Sequence, residues 1–165
     1  ANAQGTMNNL TFGNETYQYY ETLCSGSPAG VFNDGTGFDG TDAVHVHMTN
    51  SRLTDPEILE TRYPVLLEDF HIRENSGGRG KFTAGNGTKR TIRFLEKMDC
   101  AILSSHRTIR PHGLAGGEAG EMGKTTVRRL DGTLEELGGC AQTVIEAGEA
   151  VTVITPTAGG YGKAH

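Results

Sequence analysis

The sequence predicts a mainly β fold: an antiparallel, irregular sandwich or barrel with one short helix near residues 55–62. Three observations point to it. Some ten short runs alternate apolar and polar residues with a period of two, the pattern of a half-buried strand. Glycine is present 24 times in 165 residues, about twice the usual share, with no repeat and only five prolines. Such a chain needs many tight turns, or backbone passing close to something else. Only one stretch carries helix signals, whereas a parallel sheet of βαβ units needs several. The length suits one domain over 1–165, enough to bury roughly two-thirds of its unfolded surface.

In chain order, Met7 to Phe12 and Tyr17 to Cys24 read as strands joined by a hairpin-like turn at Gly13-Asn14-Glu15. Ser25 to Asp42 is glycine-rich and without periodicity, a loop long enough to suggest a function. In Val44-His45-Val46-His47-Met48 the alternation reads as a strand with both imidazoles on one face. A helix follows, with Thr54 and Glu57 fitting a capping box, Asp55 before Pro56 as a second N-cap choice, and Pro64 closing it. Val65 to Arg73, Lys81 to Thr83, Thr88 to Glu96 and Cys100 to Ser105 read as further strands. Within the third of these, Ile92 and Phe94 face one way, Thr91 and Arg93 the other. After a second glycine-rich loop over His106 to Gly123, Thr125 to Leu130 and Thr133 to Leu137 flank Asp131-Gly132, a type I′ hairpin signal. Thr143 to Ile145 and Ala150 to Thr155 flank a last turn, before a tail of Pro156-Thr157-Ala158-Gly159-Gly160-Tyr161-Gly162.

A net charge of −5 and a pI near 5.7 give no electrostatic footprint for nucleic acid or anionic lipid. No apolar run approaches a membrane span and no basic-then-apolar leader opens the chain. Cys24, Cys100 and Cys140 are odd in number and lack a Cys-x-x-Cys, which fits a reduced, cytoplasmic protein. A start at Ala1 without Met suggests an excised or processed piece of a longer polypeptide, or a trimmed disordered start.

The chemistry concentrates between Val44 and Pro64. His45 and His47 have the spacing of metal ligands on a strand, and Asp39, Asp42, His106 and His112 are candidates to complete a set. The alternative is one structural and one exposed histidine. Arg52, Arg62, Arg107 and Arg110 have the fork geometry to clamp a carboxylate, though arginines more often form internal or surface salt bridges. Ser105 and His106 are adjacent, so a strand would point them apart, which argues against a nucleophile and its base. Gly77-Gly78-x-Gly80 and Gly159-Gly160-x-Gly162 lack the Lys-Ser/Thr of a phosphate loop and are better read as positive-φ turns.

Several collinear motifs resemble the hydantoinase B/oxoprolinase family. They are Gln4-Gly5-Thr6-Met7-Asn8-Asn9, Tyr20-Glu21-Thr22, His45 to Arg52, and Asp55-Pro56-Glu57-Ile58-Leu59-Glu60-x-Arg62-Tyr63-Pro64. Further along come Ser76 to Gly80, Pro111 to Gly117, Leu137-Gly138-Gly139 and the glycine-rich tail. The resemblance spans essentially the whole chain, matches the C-terminal portion of the family, and is most like its 5-oxoprolinase branch. Where family tails carry glycines this one has Thr157-Ala158, and Lys163-Ala164 replace Asp-Pro, which puts the tail's role in question.

That resemblance implies ATP-dependent opening of a cyclic amide, 5-oxo-L-proline to L-glutamate in glutathione metabolism, by an enzyme of which this chain is an inactive part. It implies ATP with Mg bound by a missing hydantoinase A-like ATPase domain or subunit, a divalent metal in the hydantoinase B part, the remainder of hydantoinase B as partner, and a homo-oligomer. His45, His47, Asn50 and Arg52 are then the expected site-lining residues, with His45 and His47 as candidate metal ligands. The alternatives are a fragment of an N-methylhydantoinase or acetone carboxylase subunit, or a non-catalytic β-rich assembly module.

Overall fold

The computed structural model describes residues 1–5, 7–46 and 49–164. Eleven strands and one helix follow one another as β1 (Asn8–Gly13), β2 (Gln18–Leu23), β3 (Gly30–Val31), β4 (Gly37–Phe38), α1 (Pro56–Arg62), β5 (Val65–Ile72), β6 (Thr88–Phe94), β7 (Met98–Leu103), β8 (Lys124–Arg128), β9 (Leu134–Leu137), β10 (Cys140–Ile145) and β11 (Ala150–Ile154). Among the described residues they form a four-stranded sheet ordered β10-β7-β1-β2, a five-stranded sheet ordered β5-β6-β11-β8-β9, and the small β3-β4 ladder. Every strand pair is antiparallel and neither large sheet closes on itself, so the fold is a sandwich of open sheets, not a barrel.

Alternation decides which side chains meet between the sheets. Leu10 and Phe12 of β1, Leu23 of β2 and Met98, Cys100 and Ile102 of β7 face Ile92 and Phe94 of β6 and Val151 and Val153 of β11, all buried. Phe12 meets Phe94 edge to face across the gap, ring centroids 5.0 Å apart. Helix α1 adds Leu59 to the same core. Asp55, not Thr54, is its N-cap, its carboxylate accepting from the Glu57 N–H at 3.0 Å. Thr54 turns instead to Tyr19, 2.9 Å away.

The two outward faces differ in kind. On the four-stranded sheet three rows run across the strands: Cys140, Leu103, Asn9, Thr22; then Gln142, Ala101, Thr11, Tyr20; then Val144, Asp99, Gly13, Gln18. Asp99 is the sole charge among them. On the five-stranded sheet the corresponding rows hold Arg93 and Arg128, Asp69 and Glu136, and Lys89 and Lys124. Those charges are paired: Lys89 to Asp69 at 3.1 Å, Arg93 and Arg128 to Glu68 at 2.9 Å, Lys124 to Glu136 at 2.8 Å. Glu68 reaches both arginines because a bulge between Leu67 and Asp69 sets it aside from the ladder.

The glycine-rich loops weave together by backbone hydrogen bonds at one end of the sandwich. Gly160 N–H donates to Glu118 O, Leu114 N–H to Gly160 O, Glu118 N–H to Arg79 O, and Gly78 N–H to Ala158 O. Of the glycines read above as positive-φ turns, only Gly162 is one (φ +75). The others allow close approach: a Cβ on Gly160 would lie 2.3 Å from Arg79 O, and one on Gly159 2.1 Å from His112 O. Thr157 and Ala158 need no glycine freedom and are fully buried. The Thr157 hydroxyl donates to Ser76 O and accepts from the Glu121 N–H, each at 2.6 Å, so the altered tail is built into the weave. The Asp131-Gly132 hairpin is likewise not type I′, since Gly132 alone has positive φ (+84) and the loop is longer, closed by Arg129 N–H to Thr133 O at 2.9 Å.

Candidate functional site

The strand expected over Val44 to Met48 does not form over the described residues 44–46; His47 and Met48 lie outside them. Val44 makes one isolated bridge to Ser25 and no ladder follows. The reason is local. Ala43 sits at φ +47 with its N–H on Asn86 O, and Val46 is bonded to Thr49, Thr49 N–H donating to Val46 O at 3.0 Å and Val46 N–H to Thr49 Oγ1 at 2.9 Å. Ser25, the partner residue, directs its hydroxyl to Pro156 O in the weave.

His45 is half-buried, yet both its ring nitrogens are sealed from solvent, with no well-formed hydrogen bond among the described residues beyond a backbone contact with Thr49. Burial pushes its pKa below the usual value, so the imidazole is neutral at pH 7, with one N–H to donate and one lone pair to offer. Buried polar atoms are normally satisfied, which singles this ring out.

Downstream, Thr49 to Arg52 lies along β2 and closes a small pocket of about 270 Å³. Its walls are Met7, Tyr19, Tyr20, Glu21 and Thr22 on one side and Thr49, Asn50, Ser51, Arg52 and Thr54 on the other. Asn50 and Arg52 are exposed at it, and neither has a hydrogen bond or ion pair among the described residues. The structure therefore brings Asn50 and Arg52 together and leaves His45 outside that lining.

Glu21 of the lining belongs to a buried polar network. Arg90 of β6 and Glu21 of β2 form a bidentate pair between the sheets, Nε to Oε1 at 2.9 Å and Nη2 to Oε2 at 3.1 Å, each side chain 2% exposed. The Tyr19 hydroxyl lies 3.1 Å from Glu21 Oε2 and 2.9 Å from Thr54 Oγ1. Burial, then the Glu21 charge, pushes the Tyr19 phenol up to about 12, so it stays protonated. The Tyr20 hydroxyl donates to Asn9 Oδ1 at 2.7 Å and lies 2.9 Å from Thr22 Oγ1.

The remaining candidates hold the structure together. Asp39 accepts from the Thr83 N–H at 2.7 Å and Asp42 from the Asn86 N–H at 2.6 Å, fixing the loop before the site. Arg107 donates to Ser105 O at 2.9 Å, and burial beside Arg73 brings its pKa down to about 10. His106 Nδ1 lies 2.8 Å from Ile109 O, His112 is exposed, and Arg62 and Arg110 are exposed too. Among the described residues no three of His, Cys, Asp and Glu come together as a metal cluster. Of the two candidate ligands, His45 is described and His47 lies outside the described residues.

Comparison with known proteins settles the family. The hydantoinase B/oxoprolinase family model matches residues 1–164. This chain belongs to the hydantoinase B/oxoprolinase family. The chain is similar to the 5-oxoprolinase of Dictyostelium discoideum, 46% identical over 99% of this chain and 12% of that protein. It is equally similar to 5-oxoprolinase 1 of Arabidopsis thaliana, 46% identical over 98% of this chain and again 12% of the relative. Among solved structures, the ATP-dependent caprolactamase from Pseudomonas jessenii shares the fold seen here, with a TM-score of 0.77, 23% identity, and coverage of 99% of this chain and 30% of that one. The chain thus spans about an eighth of the length of these curated relatives. None of its described helices is long and apolar enough to cross a membrane.

Proposed function

We propose that this chain is the C-terminal portion of the hydantoinase B part of an ATP-dependent cyclic amide hydrolase acting on 5-oxo-L-proline, and that it contributes one wall of the substrate site. The observation that carries this reading is the 46% identity, along nearly its whole length, to proteins named 5-oxoprolinase. The chemistry is consistent with the fold relative, whose name also describes ATP-driven opening of a lactam. An amide is a poor electrophile, and transfer of a phosphoryl group to its oxygen makes attack by water feasible. In this reading ATP and Mg belong to a hydantoinase A-like ATPase domain or subunit, and no residue of this chain holds them. The cytoplasm is the matching compartment, and a homo-oligomer the matching assembly.

The residues here would bind and orient. The pocket of about 270 Å³ suits a small ring. Arg52 brings an unpaired positive charge to a lining otherwise rich in hydroxyls, a match for the carboxylate of 5-oxoproline. Asn50 offers both a donor and an acceptor to the amide. The neutral His45 imidazole, whose ring nitrogens are sealed in this chain, is proposed to line the site together with His47 once the rest of the enzyme is in place. In the full-length enzyme, Arg52→Ala should lower kcat/KM for 5-oxoproline by roughly 10- to 150-fold, the loss of one charged hydrogen bond. Glutamate and ADP formation are measured separately. Wild-type turnover in both Arg52→Ala and His45→Ala would sink the assignment.

A further inference from the structure

We infer that the outer face of the four-stranded sheet docks an uncharged surface of the remaining hydantoinase B polypeptide, and that this contact walls the candidate pocket. The inference rests on the reading that the chain works inside a longer hydantoinase B polypeptide, and not on the identity of the substrate. The molecule supplies its own control. One outer face carries paired charges in every row, as solvent-facing sheet surfaces commonly do. The other presents Tyr20, Leu103 and Val144, 54%, 53% and 42% exposed, on a ground of uncharged side chains, with the charges of Glu15, Lys97 and Asp99 gathered at the Gly13 end. Exposed apolar side chains gathered on one face with charge depleted mark a contact surface.

Shape narrows the occupant. The face is concave, enclosing about 980 Å³ over Thr11, Tyr20, Ala101, Gln142 and Val144. Two copies joined by a two-fold axis would set hollow against hollow and leave a void, so a second copy fits poorly. A nucleic acid finds no basic patch there, since Lys97 at the rim is already paired with Glu146 at 2.8 Å. The matched segment is 12% of its curated relatives and 30% of the caprolactamase chain, so in such proteins several times as much polypeptide is tethered beside it. Tethering makes docking effectively intramolecular. Tyr19 and Tyr20 line both the concavity and the pocket, so polypeptide seated in the first reaches the open side of the second.

Thiol labelling of the full-length polypeptide tests this without reference to turnover. Cys140 lies on this face and is exposed, whereas Cys24 and Cys100 are buried. Gln142→Cys adds a second reporter near the centre of the concavity, and Lys124→Cys one on the ion-paired face. Maleimide should modify Gln142→Cys and native Cys140 roughly a hundredfold more slowly than Lys124→Cys, because modification must await a rare opening. Tyr20→Lys with Val144→Lys should raise the Gln142→Cys rate toward that of Lys124→Cys. Comparable rates at the two faces in the parent protein overturn the proposal, and so does protection that disappears on dilution, which would assign the face to a second copy. A failed 5-oxoproline assay leaves this readout unchanged, so the two readings fail separately.

Discussion

Of the glutamates that hold arginines, Glu21 does so between the sheets and Glu68 outside them. Glu21 and Arg90 are each 2% exposed, whereas Glu68 is 22% exposed and its partners Arg93 and Arg128 43% and 45%. The distances are similar, from 2.9 to 3.1 Å. The energetic meaning is not. Outside, water already solvates both charges and the pair adds little. Inside, each charge depends on the other, and Arg90 also lies over the Phe70 ring at 5.1 Å. A salt bridge is thus a weak contributor where it is easy to make and an obligation where it is sealed.

The largest expected effect tests that obligation. Arg90→Met leaves Glu21 buried and unpaired, and should cost about 3–5 kcal/mol in urea unfolding. The double variant with Glu21→Gln should recover most of it. A single-variant loss below about 1 kcal/mol would erase the distinction between the two pairs. The same sealed-versus-open contrast can be made in the backbone. A Cβ on Gly117 would lie 2.2 Å from Gly160 O, while one on Gly138 would meet nothing within 4 Å. Gly117→Ala should therefore cost about 1–3 kcal/mol, and Gly138→Ala much less.

A smaller, pH-dependent effect concerns His45. Burial holds its folded-state pKa below the unfolded value of about 6.5, so the unfolded chain takes up a proton more readily. Its contribution is intact above that pH and is lost as the pH falls below it. The urea midpoint of the wild type should drop more between pH 7.5 and 5.5 than that of His45→Gln; equal drops would contradict the burial of the ring. Smallest is Glu68→Gln, under about 1 kcal/mol and smaller still in high salt.

Much of this was legible from alternation alone. In β2, Tyr19, Glu21 and Leu23 share a parity, and in β6 so do Arg90, Ile92 and Phe94. Each strand therefore carries one charged residue on its core face, and two such residues of opposite sign call for each other. The helix end points were also readable, because Pro56 and Pro64 act locally on the backbone. Less legible was whatever depends on distant chain. The His45 segment has a strand's alternation, but Val44 finds only the Ser25 bridge, and Ala43, at φ +47, gives its N–H to Asn86 O of another loop. Glycines at φ below zero look like turns in sequence because the carbonyl that excludes a side chain comes from another loop. Asn50 and Arg52 were found by residue type, whereas their pocket required knowing that β2 runs beside them.

The weave of loops has a consequence for how the chain matures. Asn2 donates its N–H to His112 O and receives that of Gly159, both at 2.9 Å, and the Ala1 ammonium reaches Ala29 O at 2.8 Å. Residues far apart in this segment are thus tied together, a long-range closure that slows folding. The stretch before β1 cannot complete its hydrogen bonds until the loop at His112 and the turn at Gly159 have been made. A nick or deletion in either extremity would then loosen the same seam.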